Sequence, residues 1–133
     1  IHSLHIGIQK NSNTLKLFDT AHQFGMKYIL ADEIFFENLP KIYQQIDELI
    51  SSVDQLYLTI CMDVFNASIA PGVSAAAYNG IFADATFLHF YRHILKSEKL
   101  VALDVAEVNP EFDIAERTAR LAASLVNEWF MIS

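Results

Sequence analysis

The sequence holds one cysteine, Cys61, so no disulfide can form within the chain. A lone thiol suits a reducing compartment, and the expected location is the cytoplasm. Basic charge is scarce: 9 Lys and Arg face 16 Asp and Glu, for a net charge of −7. No basic stripe can neutralise phosphates, which argues against a nucleic-acid partner. Long apolar runs are also missing. Asp, Asn, His or Arg interrupts each one, so no stretch reads as a transmembrane helix and no membrane partner is expected. No basic segment leads into an apolar one, so none reads as a signal peptide.

What the chain does have is apolar content, 53% hydrophobic against 19% charged. In 133 residues that is enough for one compact domain with a sizeable core. The acidic balance suits cationic ligands and divalent metals.

Strand and helix patterns alternate. Ile1 to Ile8 read as a strand with no lead-in, as if the chain began inside a larger domain, and His5-Ile6-Gly7-Ile8 is its apolar part. Asn13 is placed to cap a helix whose apolar stripe is Leu17, Phe18, Ala21 and Phe24, with Gly25 ending it. Tyr28 to Leu30 is a second strand. Asn38-Leu39-Pro40 opens a second helix with Ile42, Ile46, Leu49, Ile50 and Val53 on its inner face. Leu56 to Met62 is a third strand, apolar on both faces. A loop rich in small residues, 66–79, precedes a helix over 82–96. Leu100 to Val105 is the fourth strand, and Asp113 with Glu116 forms a capping-box-like pair for a last helix burying Ile114, Leu121, Leu125, Val126 and Trp129. This order predicts an α/β fold with a parallel sheet, whose ligands bind beyond the C-terminal strand ends.

Two segments at such ends carry recognisable chemistry. Thr59-Ile60-Cys61-Met62-Asp63-Val64-Phe65-Asn66-Ala67-Ser68-Ile69-Ala70-Pro71-Gly72 resembles the ureohydrolase signature Ser-x-Asp-x-Asp-x-x-Asp-Pro-x-x-Ala-Pro-Gly. Asp104-Val105-Ala106-Glu107-Val108-Asn109-Pro110, with Asp113, Thr118 and Ala119 downstream, resembles the Glu-Val-Asn-Pro segment of the same enzymes. On these residues the chain is similar to the arginase (ureohydrolase) family. Ser12-Asn13-Thr14 and Pro71-Gly72-Val73-Ser74 resemble its formimidoylglutamase branch. The resemblance covers all of residues 1–133 but only the C-terminal half of a family domain. It implies a three-layer α/β sandwich with a mostly parallel sheet, present here as a partial arginase-like domain. It also implies that a family strand belongs between the first and third strands of this chain. Without it, those two strands either pair directly or leave an open edge.

The resemblance further implies two Mn²⁺ ions holding a hydroxide that attacks a formimino or guanidino carbon. Asp63 matches a metal-binding aspartate, and Cys61 stands where another aspartate is usual. Cys61 is read either as a metal ligand or as a small buried hydrophobe. Period-two alternation would point residues 61 and 63 the same way. Glu107 matches the glutamate that pairs with the substrate's cationic nitrogens, and a carboxylate accepts two parallel hydrogen bonds from an amidinium. Asn13 is read either as a substrate contact or as a helix cap. No catalytic base is assigned. The family's Gly-Gly-Asp-His and Asp-Ala-His-x-Asp segments do not occur, so no tightly bound manganese is expected in this chain alone. His89 and His93, four apart, are read as ordinary helix residues.

The function so implied for a full-length parent is hydrolysis of N-formimino-L-glutamate to L-glutamate and formamide, in histidine breakdown. The alternatives are an agmatinase or other guanidino hydrolase, and a non-catalytic arginase-fold module. The partner is then a small molecule, with homo-oligomers common in the family.

Overall fold

A computed structural model describes residues 2–132. Ile1, counted in the first strand expectation, lies outside the described residues. Eight main elements follow in order: β1 (Leu4–Ile8), α1 (Leu15–Gln23), β2 (Lys27–Leu30), α2 (Leu39–Ser51), β3 (Leu56–Cys61), α3 (Ala85–Leu95), β4 (Leu100–Ala106) and α4 (Arg117–Ile132).

The strands pair in parallel, β1 with β2 and β3 with β4, in two separate two-stranded ladders. Of the two expected outcomes the open edge holds: β1 and β3 do not share a ladder. The ladders meet at one tight point. Gly7 adopts a left-handed φ of 91° where the β1–β2 register slips, and a side chain there would collide with Val64, in the turn after β3. Only glycine takes that conformation cheaply and leaves the space.

Local chemistry accounts for the helix ends. Gly25, at φ 66°, closes α1 with Gly25 N–H donating to His22 O at 3.0 Å and Met26 N–H to Ala21 O at 2.9 Å. Pro40 sits in the first turn of α2, where its missing N–H is harmless. The Lys99 ammonium donates to the carbonyls of Ile50 and Val53, each at 2.7 Å, and satisfies the end of α2. Asp84 caps α3 by accepting from Phe87 N–H at 3.0 Å. The helix therefore starts at Ala85, later than the expected Phe82.

The core joins α2, α3 and α4 to the strands. Ile42, Ile46, Ile60, Met62, Phe65, Phe87, Phe90 and Leu125 are buried in one cluster. Phe87 meets Phe65 edge-on at 5.1 Å and stacks on Tyr91 at 5.2 Å. The Tyr91 hydroxyl donates to Leu125 O at 2.7 Å, tying α3 to α4. His93 contacts Asp47 at 2.7 Å and the Tyr43 ring, joining α3 to α2. His89 lies against Phe36.

Burial departs from the apolar pattern at three places. β3 is not covered on both faces: Tyr57 is 58% exposed, and its hydroxyl donates to Asp104 on the same open face. The stripe of α1 is not fully buried, since Leu17 and Phe24 are more than half exposed. Ile114 is 57% exposed because α4 begins three residues later.

Arg92 on α3 clasps Glu128 on α4 through two bonds of 2.7 and 2.8 Å. The guanidinium holds the Glu128 carboxyl below its ordinary value, against the opposing effect of burial. A depressed folded-state pKa stabilises above the unfolded value and loses that contribution as pH falls through the folded one. Between roughly pH 5 and pH 3 the melting temperature is therefore expected to fall more steeply for the wild type than for Arg92→Met. Parallel pH–Tm curves for the two would show that the clasp carries no net stability.

Candidate functional site

β3 ends at Cys61, one residue earlier than expected, and Met62–Val64 turns as a 3-10 segment. Asp63 thus lies in the turn rather than on the strand, so the strand alternation does not place it. The Asp63 carboxylate nevertheless lies close enough to Cys61 to raise its thiol pKa. Across the ladder Cys61 pairs with Ala106, and Glu107 is the next residue. Adjacent strands lie about 4.8 Å apart, so Cys61, Asp63 and Glu107 share one corner at the C-terminal ends of β3 and β4.

Burial, then the Asp63 carboxylate, push the Cys61 thiol up to about 12, and the Glu107 charge pushes the same way. At neutral pH Cys61 keeps its proton, whereas a metal ligand must be a thiolate. Among the described residues no three His, Cys, Asp or Glu side chains converge as a metal cage. One carboxylate beside a protonated thiol does not by itself fit a pair of manganese ions, which prefer several oxygen and imidazole donors.

Glu107 leaves β4 with φ 69°, a left-handed conformation that a non-glycine residue adopts at a cost. Such residues concentrate at functional sites, held by their surroundings.

Asn13 is not brought into this corner by its hydrogen bonding. It follows β1, on the other ladder, and its amide donates to Gln9 O at 2.8 Å. It does not cap α1 either: Thr14 holds the cap position, without a side-chain bond. The turn of residues 10–12 displaces the helix start by one residue from the sequence-based expectation.

The loop after Asp63 folds around a residue given no role from sequence. Asn66 stands where the signature has aspartate. Its Oδ1 accepts from Ser68 N–H at 3.0 Å and Ser68 Oγ–H at 2.7 Å, and its Nδ2 donates to Tyr78 O at 2.6 Å. Its own N–H bonds Ile81 O at 2.8 Å. Gly80 is required here: a Cβ would lie 2.5 Å from the Phe65 carbonyl carbon. The capping-box expectation for Asp113 and Glu116 is half right. Asp113 accepts from the N–H groups of Thr118 and Ala119, each at 3.1 Å, but Glu116 turns to Arg120.

Two loops thus meet at the ends of the parallel strands, where Asn109 N–H donates to Gly72 O at 2.7 Å. The chain belongs to the arginase family, whose model matches residues 1–132. Formimidoylglutamase of Staphylococcus carnosus is 44% identical to it over 124 residues, 93% of this chain and 40% of that protein. Formimidoylglutamase of Clostridium tetani is 39% identical over 121 residues, 91% of this chain and 36% of that protein. Of solved structures, a formimidoylglutamase from Bacillus subtilis matches with a TM-score of 0.88 at 24% identity, covering 96% of this chain and 40% of that one. An arginase from Bacillus caldovelox matches at 0.78 with 20% identity, covering 96% and 42%. The fold is thus arginase-like, with the chain spanning about 40% of the curated relative from Staphylococcus carnosus. No helix among the described residues is long and apolar enough to cross a membrane.

Proposed function

We propose that this chain is the C-terminal part of a cytoplasmic hydrolase that converts N-formimino-L-glutamate and water to L-glutamate and formamide, in histidine breakdown. The observation that carries this reading is the corner shared by Asp63 and Glu107, in a chain 44% identical to a formimidoylglutamase. Glu107 receives the cationic formimino nitrogens, accepting two N–H bonds. Asp63 would offer one carboxylate toward a metal centre completed by donors from elsewhere, and such a centre would supply activation of water there. The remaining donors come from outside this chain. Asn13, on the β1 side, is the proposed contact for a substrate carboxylate.

The reading is tested by assaying the full-length protein with formiminoglutamate, agmatine and arginine. Preferred turnover of formiminoglutamate is expected, and preferred turnover of agmatine would move the protein to another branch. A second reading, a non-catalytic arginase-fold module, rests on Cys61 and Asn66, which stand where the signature has aspartates. It would be upheld by a full-length protein inert toward all three compounds.

A metal site of useful affinity needs three or four converging protein ligands. Elemental analysis of the purified 133-residue chain is therefore expected to find no stoichiometric manganese. Two equivalents per chain, lost on Asp63→Ala, would show that the donor set is complete without further chain.

A further inference from the structure

Thr118 is fully buried and polar, with 0% exposure. Its hydroxyl oxygen accepts from Gly72 N–H at 2.7 Å, across 46 residues of sequence. The backbone N–H of Thr118 donates to the Asp113 carboxylate at 3.1 Å. That carboxylate also accepts from Ile114 N–H at 2.9 Å, besides the Thr118 and Ala119 amides. On its other side Gly72 O accepts from Asn109 N–H at 2.7 Å. Gly72 must lack a side chain, because a Cβ would lie 2.5 Å from the Asp113 Cβ and 2.9 Å from its Cα. An unbroken chain of hydrogen bonds therefore runs from Asp113 through Thr118 and Gly72 to Asn109, two residues past the left-handed Glu107.

We infer that Asp113 and Thr118 are positioning residues: acting through the Gly72 and Asn109 backbone, they hold Glu107 in its left-handed conformation and in register with the Asp63 loop. The physical case is one of over-determination. A left-handed glutamate at a strand end persists only if the chain beyond it is fixed independently. Asn109 is fixed by Gly72, and Gly72 is fixed by a hydroxyl that cannot turn to water. The bond from Gly72 to Thr118 leaves no buried donor unpaired, so breaking it strands an N–H as well as losing a contact. The same bonds couple the two loops that the proposed function places on metal and on substrate. The role as a substrate-positioning clamp rests on that function; the mechanical coupling does not.

Two measurements separate these. On the 133-residue chain, hydrogen exchange is followed in the 66–80 and 104–112 segments for the wild type, Thr118→Val and Thr118→Ser. Valine keeps the volume and removes the hydroxyl. It is expected to speed exchange in both segments, and serine to restore the wild-type rates. Faster exchange in 66–80 alone would overturn the coupling to Glu107, whether or not any enzyme activity is found. In the full-length protein, Thr118→Val is expected to lower kcat/KM for formiminoglutamate by on the order of tenfold. It is expected to have little further effect when added to Glu107→Gln, because both act through one carboxylate. Additive losses would assign Thr118 to general stability instead. An inactive wild type would remove the proposed function and the clamp role with it, and leave the exchange result to decide the mechanical coupling.

Discussion

Glu107→Gln in the full-length protein is expected to lower kcat/KM for formiminoglutamate by on the order of a hundredfold, with manganese content unchanged. Hydrogen bonds to a charged group contribute about 1.5–3 kcal/mol, and about 1.4 kcal/mol is a factor of ten. Glutamine keeps the shape of the side chain but cancels its charge. It also turns an amide N–H toward a substrate nitrogen that is itself a donor, so one of the two parallel bonds becomes a repulsion. The left-handed backbone at position 107 is retained, because the clamp beyond it is untouched. Steady-state kinetics with elemental analysis decides the matter. Loss of manganese with the fold intact would make Glu107 a metal ligand rather than a substrate contact.

The largest stability effect is expected at Phe65. It is 0% exposed and meets Phe87 edge-on, and its neighbour Asn66 anchors the loop that carries the Ala-Pro-Gly segment. Burying an aromatic ring and then deleting it costs about 3–5 kcal/mol, the lost transfer energy plus the cavity. Domains of this size are stable by only about 5–15 kcal/mol, so Phe65→Ala removes a large share. Urea unfolding of the chain measures it directly. Phe82→Ala, at a half-exposed ring nearby, is the control expected to change little. A cost at Phe65 no greater than at Phe82 would place the loop outside the core.

The sequence was informative where physics is local. Apolar runs bounded by polar turns placed β3 and β4 to within one residue. Gly25 announced the end of α1, since few residues tolerate its dihedral. The two motifs lie at the C-terminal ends of β3 and β4, where Cys61 pairs with Ala106 beside Glu107. What stayed hidden depends on partners distant in sequence. Nothing near Thr118 reveals that its hydroxyl serves Gly72. Glu107, Ala115 and Glu116 are left-handed without being glycine, a state that residue propensity does not announce. α1 shows a further limit. Its periodicity reports which face is apolar, not whether the chain supplies something to cover it. Asn13 failed as a cap because a single turn of 3-10 geometry moved the helix start past it.

The division of the strands into two ladders bears on how the molecule comes apart. β1 and β2 share no ladder bond with β3 and β4, so either pair can open and close without breaking a backbone bond of the other. What makes the two cooperate is side-chain packing in one shared core, together with the close approach of Gly7 to Val64. Coupling of that kind rests on side chains rather than on a continuous backbone ladder, so the amide hydrogens of one ladder are expected to exchange without those of the other. The boundary between them passes beside Asp63. Local opening of the β1–β2 unit would therefore reach the candidate site before the β3–β4 ladder had lost any of its own hydrogen bonds.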